Sequence, residues 1–430
     1  MFKKMIRTAA ILSAVGLLAA CGNSKDKDST SGNDEDQVTI EILQGKVEFN
    51  KQFEALAQQY EELNPGVKIN VTSVGGGSDY LSSLKTKFSS GEEPTIFSLS
   101  GPSEVDQFRD SVADLSDTEA SKKALAGTLD SVTYDDEIVG LPYNLEGYGY
   151  IYNKEIFEKA GIDAETIKSY DDLEAAVKTL DSKKDELGIK GVFALPGKET
   201  WVMTNHLGNT FLAPEFDNNV LNAYEAKEVK FELSDQYQRA LDMQNKYSIG
   251  KPLSIDYSQQ VEEYFSLGQV AIIQQGNWVY PTIAQIDPEF AKEGIGMLPI
   301  PVDGLEGKLP VGVPNYWAVN KNKSDKEVKA AKDFIDWLYL SDEGKKAVVD
   351  ELNFIPAYEG YDGLDIADPL SQAVYDYSQA GETIGWVFNG YPAGWEQSTF
   401  GPEIQKYLEG STSWDDVIKV SQDGWKEARK

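Results

Sequence analysis

Cysteine and histidine are almost missing from this chain: its 430 residues hold one of each, Cys21 and His206. A single cysteine permits no intramolecular disulfide, so any folded domain must rest on its core. A single histidine fits poorly with a Ser-His-Asp triad or a histidine-rich metal site, and His206 reads as a helix-surface or packing residue. The Gly75-Gly76-Gly77 run lacks both the P-loop spacing and the dinucleotide pattern, so it reads as a flexible loop entering a helix, and no cofactor or metal is expected. Basic residues are scarce, 40 against 71 acidic. Setting aside Lys3, Lys4 and Arg7 of an N-terminal leader leaves 37 against 71, a net charge of −34. Such a surface repels nucleic acid and anionic headgroups, so neither is an expected partner. The apolar run from Thr8 to Leu18 is too short to span a membrane.

What is present begins with that leader. A basic start, the short apolar run and small residues up to Ala20 read as a signal peptide over 1–20. From Gly22 to Gln37 there is no apolar side chain, so 21–37 reads as a disordered tether. The remaining length exceeds what one core usually serves and predicts two lobes. Val38, Ile40 and Ile42 alternate as a strand, and Phe49, Phe53, Leu56, Tyr60 and Leu63 recur at helical spacing. Val67, Ile69 and Val71 alternate again after Asn64-Pro65-Gly66, which completes a β-α-β unit and predicts a largely parallel sheet. Leu141 to Asn153 reads as one extended segment and Val311 to Val319 as one strand. Ser169 with Asp172 and Ser324 with Glu327 have the spacing of capping boxes at helix starts.

The most informative stretch is Phe265 to Trp278: a helix end, a stop at Gly268, a buried strand, then a Gly276-Asn277 turn that presents Trp278. Ligands of open α/β sheets bind beyond strand carboxyl ends, and an indole face suits the C–H face of a sugar ring. Core packing is the alternative role for Trp278. Tyrosines 143, 148, 150 and 152 alternate, so some face a core, and Tyr143 is taken as the one that reaches ligand.

Small residues before Cys21 resemble the lipobox of bacterial lipoproteins. Leu84, Phe88, Gly91 and Pro94, then Leu141-Pro142-Tyr143 through Tyr152-Asn153-Lys154 to Ala160-Gly161, then Phe265, Gly268, Ala271, Gly276 and Trp278, follow in the same order. Together these segments resemble the extracellular solute-binding proteins of bacterial ABC importers, of the maltodextrin and multiple-sugar type. The resemblance implies a two-lobed α/β fold of the type II periplasmic-binding-protein kind, with central mixed sheets flanked by helices and a ligand cleft between lobes. It implies one lobe of 38–144 plus 314–355, a second of 145–313 plus 356–430, and closure about the crossing strands. It implies a lipid on Cys21, an extracytoplasmic position on the cell membrane of a Gram-positive bacterium, a monomer, and a membrane permease as partner.

By the same resemblance, Glu146 stands at a cleft carboxylate, Trp278 at a stacking aromatic, and Lys46 and Glu48 in the loop that meets sugar hydroxyls. Trp201, Trp386 and Trp395 join by weaker local similarity, and Asn277 by its place beside Trp278. A lobe-bridging ion pair is the alternative for Glu146, and a loop ion pair for Lys46 and Glu48. Thr95 stands where relatives carry Asp, which removes support for polar roles in the Ser98 to Ser103 loop. The expected function is capture of a carbohydrate without chemistry. A polyamine or peptide solute is the alternative on the same fold. A secreted glycoside hydrolase is the rival from another class, but it needs a strand-end pair of carboxylates that the sequence does not offer.

Overall fold

The computed structural model describes residues 37–74, 80–361, 366 and 368–430. The leader, Cys21 and nearly all of the tether lie outside the described residues, as does the glycine run at 75–77.

Alternating apolar residues in β1 (Val38–Gln44) and β2 (Val67–Ser73) place Ile40, Ile42 and Ile69 on the buried side, and α1 (Asn50–Leu63) crosses between these strands. The two strands run parallel in register from Val38 opposite Val67 to Gln44 opposite Ser73. After α2 (Tyr80–Ser90), β3 (Ile96–Leu99) adds on the other side of β1, again parallel, and leads into α3 (Pro102–Phe108). The predicted parallel sheet holds only for these three strands. Two further strands, β4 (Leu141–Pro142) and β10 (Tyr316–Val319), join antiparallel, giving the order β2-β1-β3-β10-β4.

The extended segment from Leu141 does not stay in one sheet. It passes through Tyr143, Asn144 and Leu145 and becomes β5 (Glu146–Asn153), the central strand of a second sheet. There β5 pairs antiparallel with β7 (Val270–Gly276) on one side, and with β8 (Ile295–Leu298) and β9 (Leu309–Gly312) on the other. β6 (Gly191–Phe193) extends the sheet parallel to β7, and β11 (Thr383–Ile384) parallel to β9. Likewise the strand expected over 311–319 divides: β9 belongs to the second sheet, β10 to the first, and Val313-Pro314-Asn315 joins them. A proline has no N–H to give to a ladder, which suits it to the gap. The sheets are mixed because strands that cross over must return against the local direction.

Helices cover both sheets. α4 (Lys154–Ala160) starts on an Asn153 cap and ends at Gly161 in the left-handed region. α5 (Tyr170–Ser182) and α9 (Asp325–Leu340) start on the predicted boxes, Ser169 with Asp172 and Ser324 with Glu327, with both reciprocal bonds present. α9 buries Ala331, Phe334, Ile335 and Leu338 in a core that runs through the first sheet. A second core fills the space around β5 and β6 and the C-terminal helices α12 (Gly401–Leu408) and α13 (Trp414–Ala428). Trp278 packs against both cores. The remaining labelled helices are α6 (Val220–Glu225), α7 (Ser234–Lys246), α8 (Tyr280–Ile286), α10 (Asp342–Asp350) and α11 (Pro369–Ala380).

Two substitutions in α9 separate capping from packing. Phe334→Ala should cost about 3–5 kcal/mol in urea unfolding, the scale of an emptied aromatic site, and Ser324→Ala about 1 kcal/mol, the scale of a lost N-cap. Equal losses would contradict the burial of Phe334.

Candidate functional site

The site begins where the chain leaves β1. The Gln44 side chain holds the backbone of Lys46 from both sides: its Oε1 accepts from Lys46 N–H at 2.6 Å and its Nε2 donates to Lys46 O at 3.0 Å. Thus steadied, the Lys46 ammonium reaches Glu146, the first residue of β5, and donates to its Oε1. Both residues are buried, at 9% and 6% exposure, and Asn144 Nδ2 adds a bond to the same oxygen at 3.3 Å. This pair links the loop of the first sheet to the central strand of the second. Lys46 and Glu146 therefore form an ion pair between segments of the two sheets; the sequence alternatives were a lobe-bridging pair for Glu146 and a loop pair of Lys46 with Glu48. Glu48 shares the Lys46 loop, but its side chain lies outside the described residues.

On β5 the residue two places beyond Glu146 is Tyr148, on the same face. Opposite them stand Gly312 and Gly276. Both are glycine for steric reasons. A Cβ on Gly276 would lie 2.1 Å from the Trp278 ring, and one on Gly312 would lie 2.5 Å from the Trp386 ring. The two indoles fold back over the bare strand backbone, with centroids 6.5 Å apart. Between them sits His206, 4.3 Å from Tyr148 in a near-parallel stack, 5.0 Å from Trp278 and 6.1 Å from Trp386.

Trp201 closes the group edge-on to His206 at 5.0 Å, and Phe388 adds a further ring 5.1 Å from Trp386. Trp201 and His206 meet because residues 202–208 form a π-type turn, which brings positions five apart to one side. Trp201, Trp278 and Phe388 remain half-buried, so the wall presents aromatic surface. Burial pushes the His206 imidazole down to about 3, so it is neutral at ordinary pH. Among the described residues, its Nδ1 and the Nε1 of Trp386 have no hydrogen-bond partner.

Asn277 is fully engaged: its Oδ1 accepts from Gly147 N–H at 3.1 Å and its Nδ2 donates to Ser371 Oγ at 3.1 Å. Ser371 in turn donates to Asp368, the buried cap of α11, whose carboxyl is pushed up to about 6 by burial. Its 4% exposure makes Asn277 an anchor for the turn that carries Trp278.

Two sequence candidates lie in cores. Trp395, 1% exposed, stacks on Phe400 at 4.8 Å, meets Trp425 edge-on and donates to Ser421 O at 2.9 Å. The local similarity that selected it could not distinguish a wall from a core. Tyr143, also 1% exposed, stacks on Trp317 at 3.6 Å within the core of the first sheet, because its strand face turns inward before the crossing. Conversely, sequence reading assigned no site role to His206 and Phe388. The five-residue step from Trp201 to His206 was the available signal, but it is invisible to α-helical periodicity.

α3 approaches connections of the second sheet, including the segment after Trp386. Ser103 Oγ donates to Tyr391 O at 3.1 Å, Tyr224 of α6 donates to the Asp106 carboxylate, and Gly101 packs on Asn389. Among the described residues no group of three or more His, Cys, Asp or Glu side chains is placed to hold a metal ion, and no helix is long and apolar enough to cross a membrane.

Comparison with known proteins gives consistent matches. The multiple sugar-binding protein of Streptococcus mutans is 23% identical over 354 residues, covering 78% of this chain and 79% of its own. A solved chitin oligosaccharide binding protein superimposes with a TM-score of 0.77 at 22% identity, covering 92% of this chain and 99% of that one. RafE in complex with raffinose superimposes at 0.71 with 19% identity, covering 92% and 100%. The architecture is that of the type II solute-binding proteins. The family described as bacterial extracellular solute-binding protein matches residues 46–345, more than half of the chain, and this protein belongs to it.

Proposed function

We propose that the protein captures a neutral oligosaccharide between two lobes and hands it to an ABC permease, without chemistry of its own. The observation that carries this reading is the wall of Trp278, His206, Trp201, Trp386 and Phe388 beside the buried Lys46–Glu146 pair. Aromatic faces cover the C–H patches of pyranose rings, while an ammonium, a carboxylate and an imidazole meet their hydroxyls. The relatives point the same way, since their names specify multiple sugars, chitin oligosaccharide and raffinose.

In this reading the lobes are 38–144 plus 314–355 and 145–313 plus 356–430, hinged where the chain crosses between the sheets. Contacts such as Ser103 with Tyr391 and Asp106 with Tyr224 form on closure. The ligand favours the closed form by the contacts it adds there, and the permease reads that form. Cys21 carries the lipid that keeps a monomer at the extracytoplasmic face.

Calorimetric titration of the 38–430 domain with chitin oligosaccharides, raffinose, and xylo- and arabino-oligosaccharides tests the proposal. Saturable binding without turnover is expected for at least one; no binding to any, or cleavage of one, overturns it. Trp278→Ala should weaken the best binder by about 1–3 kcal/mol, whereas Trp395→Ala should leave affinity unchanged and cost about 3–5 kcal/mol of stability.

Lys46→Met leaves Glu146 as a buried uncompensated charge and should cost about 3–5 kcal/mol in stability. Adding Glu146→Gln should recover most of that stability, but not the affinity. Full recovery of affinity would make the pair a brace only.

The pH dependence of His206 has a definite sign. Unfolded histidine titrates near pH 6.5, so below that value unfolding takes up a proton that the buried ring refuses, and stability falls as pH falls, by about 2 kcal/mol at pH 5 from this group. His206→Gln should flatten that acid limb in urea unfolding at pH 7 and pH 5. An unchanged slope would place the loss elsewhere.

A further inference from the structure

Strand β7 carries two consecutive glutamines, Gln274 and Gln275, which point to opposite faces of the second sheet. Both are buried, and a buried amide must find partners for its oxygen and its nitrogen. Gln275 does so in a short chain of bonds. Its Oε1 accepts from the Trp278 indole N–H at 3.0 Å, and its Nε2 donates to Gln260 Oε1 at 2.7 Å. Gln260 Nε2 then donates to the backbone oxygen of Ala194 at 2.8 Å. Gln260 and Gln275 are both 0% exposed.

The two ends of this chain each have one role. An indole N–H can only donate and a backbone carbonyl can only accept, so the orientation of both amides is fixed and neither can flip without placing like groups face to face. Trp278 is therefore held at two places, by its ring on the bare backbone of Gly276 and by its nitrogen on Gln275. The neighbouring glutamine performs the matching task on the other face. Gln244 Nε2 donates to Gln274 Oε1 at 2.8 Å, and Gln274 Nε2 donates to Val202 O at 2.8 Å, at the start of the turn that bears His206.

We infer that Gln275 and Gln260 are positioning residues for ligand capture: their relay fixes the plane of the Trp278 indole before the sugar arrives. The inference rests on the reading of Trp278 as a sugar platform. A half-buried indole has two torsions to settle, and settling them in the folded protein removes that ordering cost from binding. Fixing the plane also selects which sugar face can lie flat against it. Packing alone does not require two amides in line: buried Trp395 and Trp425 bond directly to a backbone oxygen, and buried Trp317 and Trp414 each bond a single side-chain hydroxyl.

The relay can be read without knowing the sugar. In ¹H–¹⁵N spectra the eight tryptophans give separate indole signals, and Trp278→Phe identifies one of them. In the wild-type chain the Trp278 indole proton should exchange with solvent as slowly as that of Trp395, although its ring is half-exposed. Fast exchange in the wild type overturns the relay whatever the variants do. In Gln260→Met, close in shape but without the amide, the Trp278 signal should shift and exchange about tenfold faster or more, with the other indoles unchanged. Affinity for chitin, xylo- or arabino-oligosaccharides or raffinose, whichever the wild type binds best, should fall about three- to thirtyfold, mostly in koff. In Trp278→Ala the added Gln260→Met should have no further effect on affinity. Additive losses would overturn positioning through Trp278 and leave the amides as structural. If Trp278→Ala itself binds like wild type, the platform reading fails, and with it the binding role of the relay, even where the exchange effect is present. If wild type binds none of the chitin, raffinose, xylo- and arabino-oligosaccharides, the carbohydrate reading fails and the exchange result alone decides whether the relay holds the ring.

Discussion

A lysine and a glutamate one hundred residues apart, Lys46 and Glu146, are buried against each other where the chain passes from one sheet to the next. Two charges withdrawn from water need each other and further polar company. Asn144 supplies part of it to the glutamate, and Gln44 fixes the loop that brings the lysine. This pairing aligns the exit of β1 with the start of β5, and the candidate wall rises directly from that strand.

The wall follows from one steric rule applied twice. Gly276 and Gly312 flank Glu146 and Tyr148 on β5, and both leave room for an indole to lie on strand backbone. Large aromatic rings are normally drawn into a core, as Trp395 and Trp425 on the C-terminal helices are. Trp278 stays half-buried because its turn is anchored by Asn277 and its nitrogen by Gln275. Buried amides therefore set the wall, whereas bulk hydrophobicity fills the cores behind it. An acidic exterior with a neutral, aromatic interior wall is an arrangement suited to uncharged, hydroxyl-rich solutes.

Much of this was legible in the sequence where the signal is local. The strand alternation at Val38 to Ile42, the two capping boxes, the stop at Gly268 and the turn that presents Trp278 all depend on residues within one element or its edges. The extended reading of Leu141 to Asn153 was correct about backbone and silent about membership, because alternation does not say which sheet a strand joins. The largely parallel sheet failed for the same reason: a β-α-β unit fixes its own strands and not those that cross from elsewhere. Aromatic identity, too, could not separate Trp278 from Trp395, since both are tryptophans beside a turn.

The sequence by itself determined the local grammar: which stretches are helix or strand, where they stop, the scarcity of cysteine, histidine and basic charge, and the family to which the ordered segments are similar. Only the tertiary structure decided which groups share a space. It brought Lys46 to Glu146, set His206 among five aromatic neighbours through a π-type turn, sent Tyr143 and Trp395 into cores, and ran a line of amides from Trp278 to Ala194. The physical reason is range. Propensities and caps act over a few residues of chain, whereas burial, ion pairing and hydrogen-bond satisfaction act through space and are settled only when distant segments close on one another.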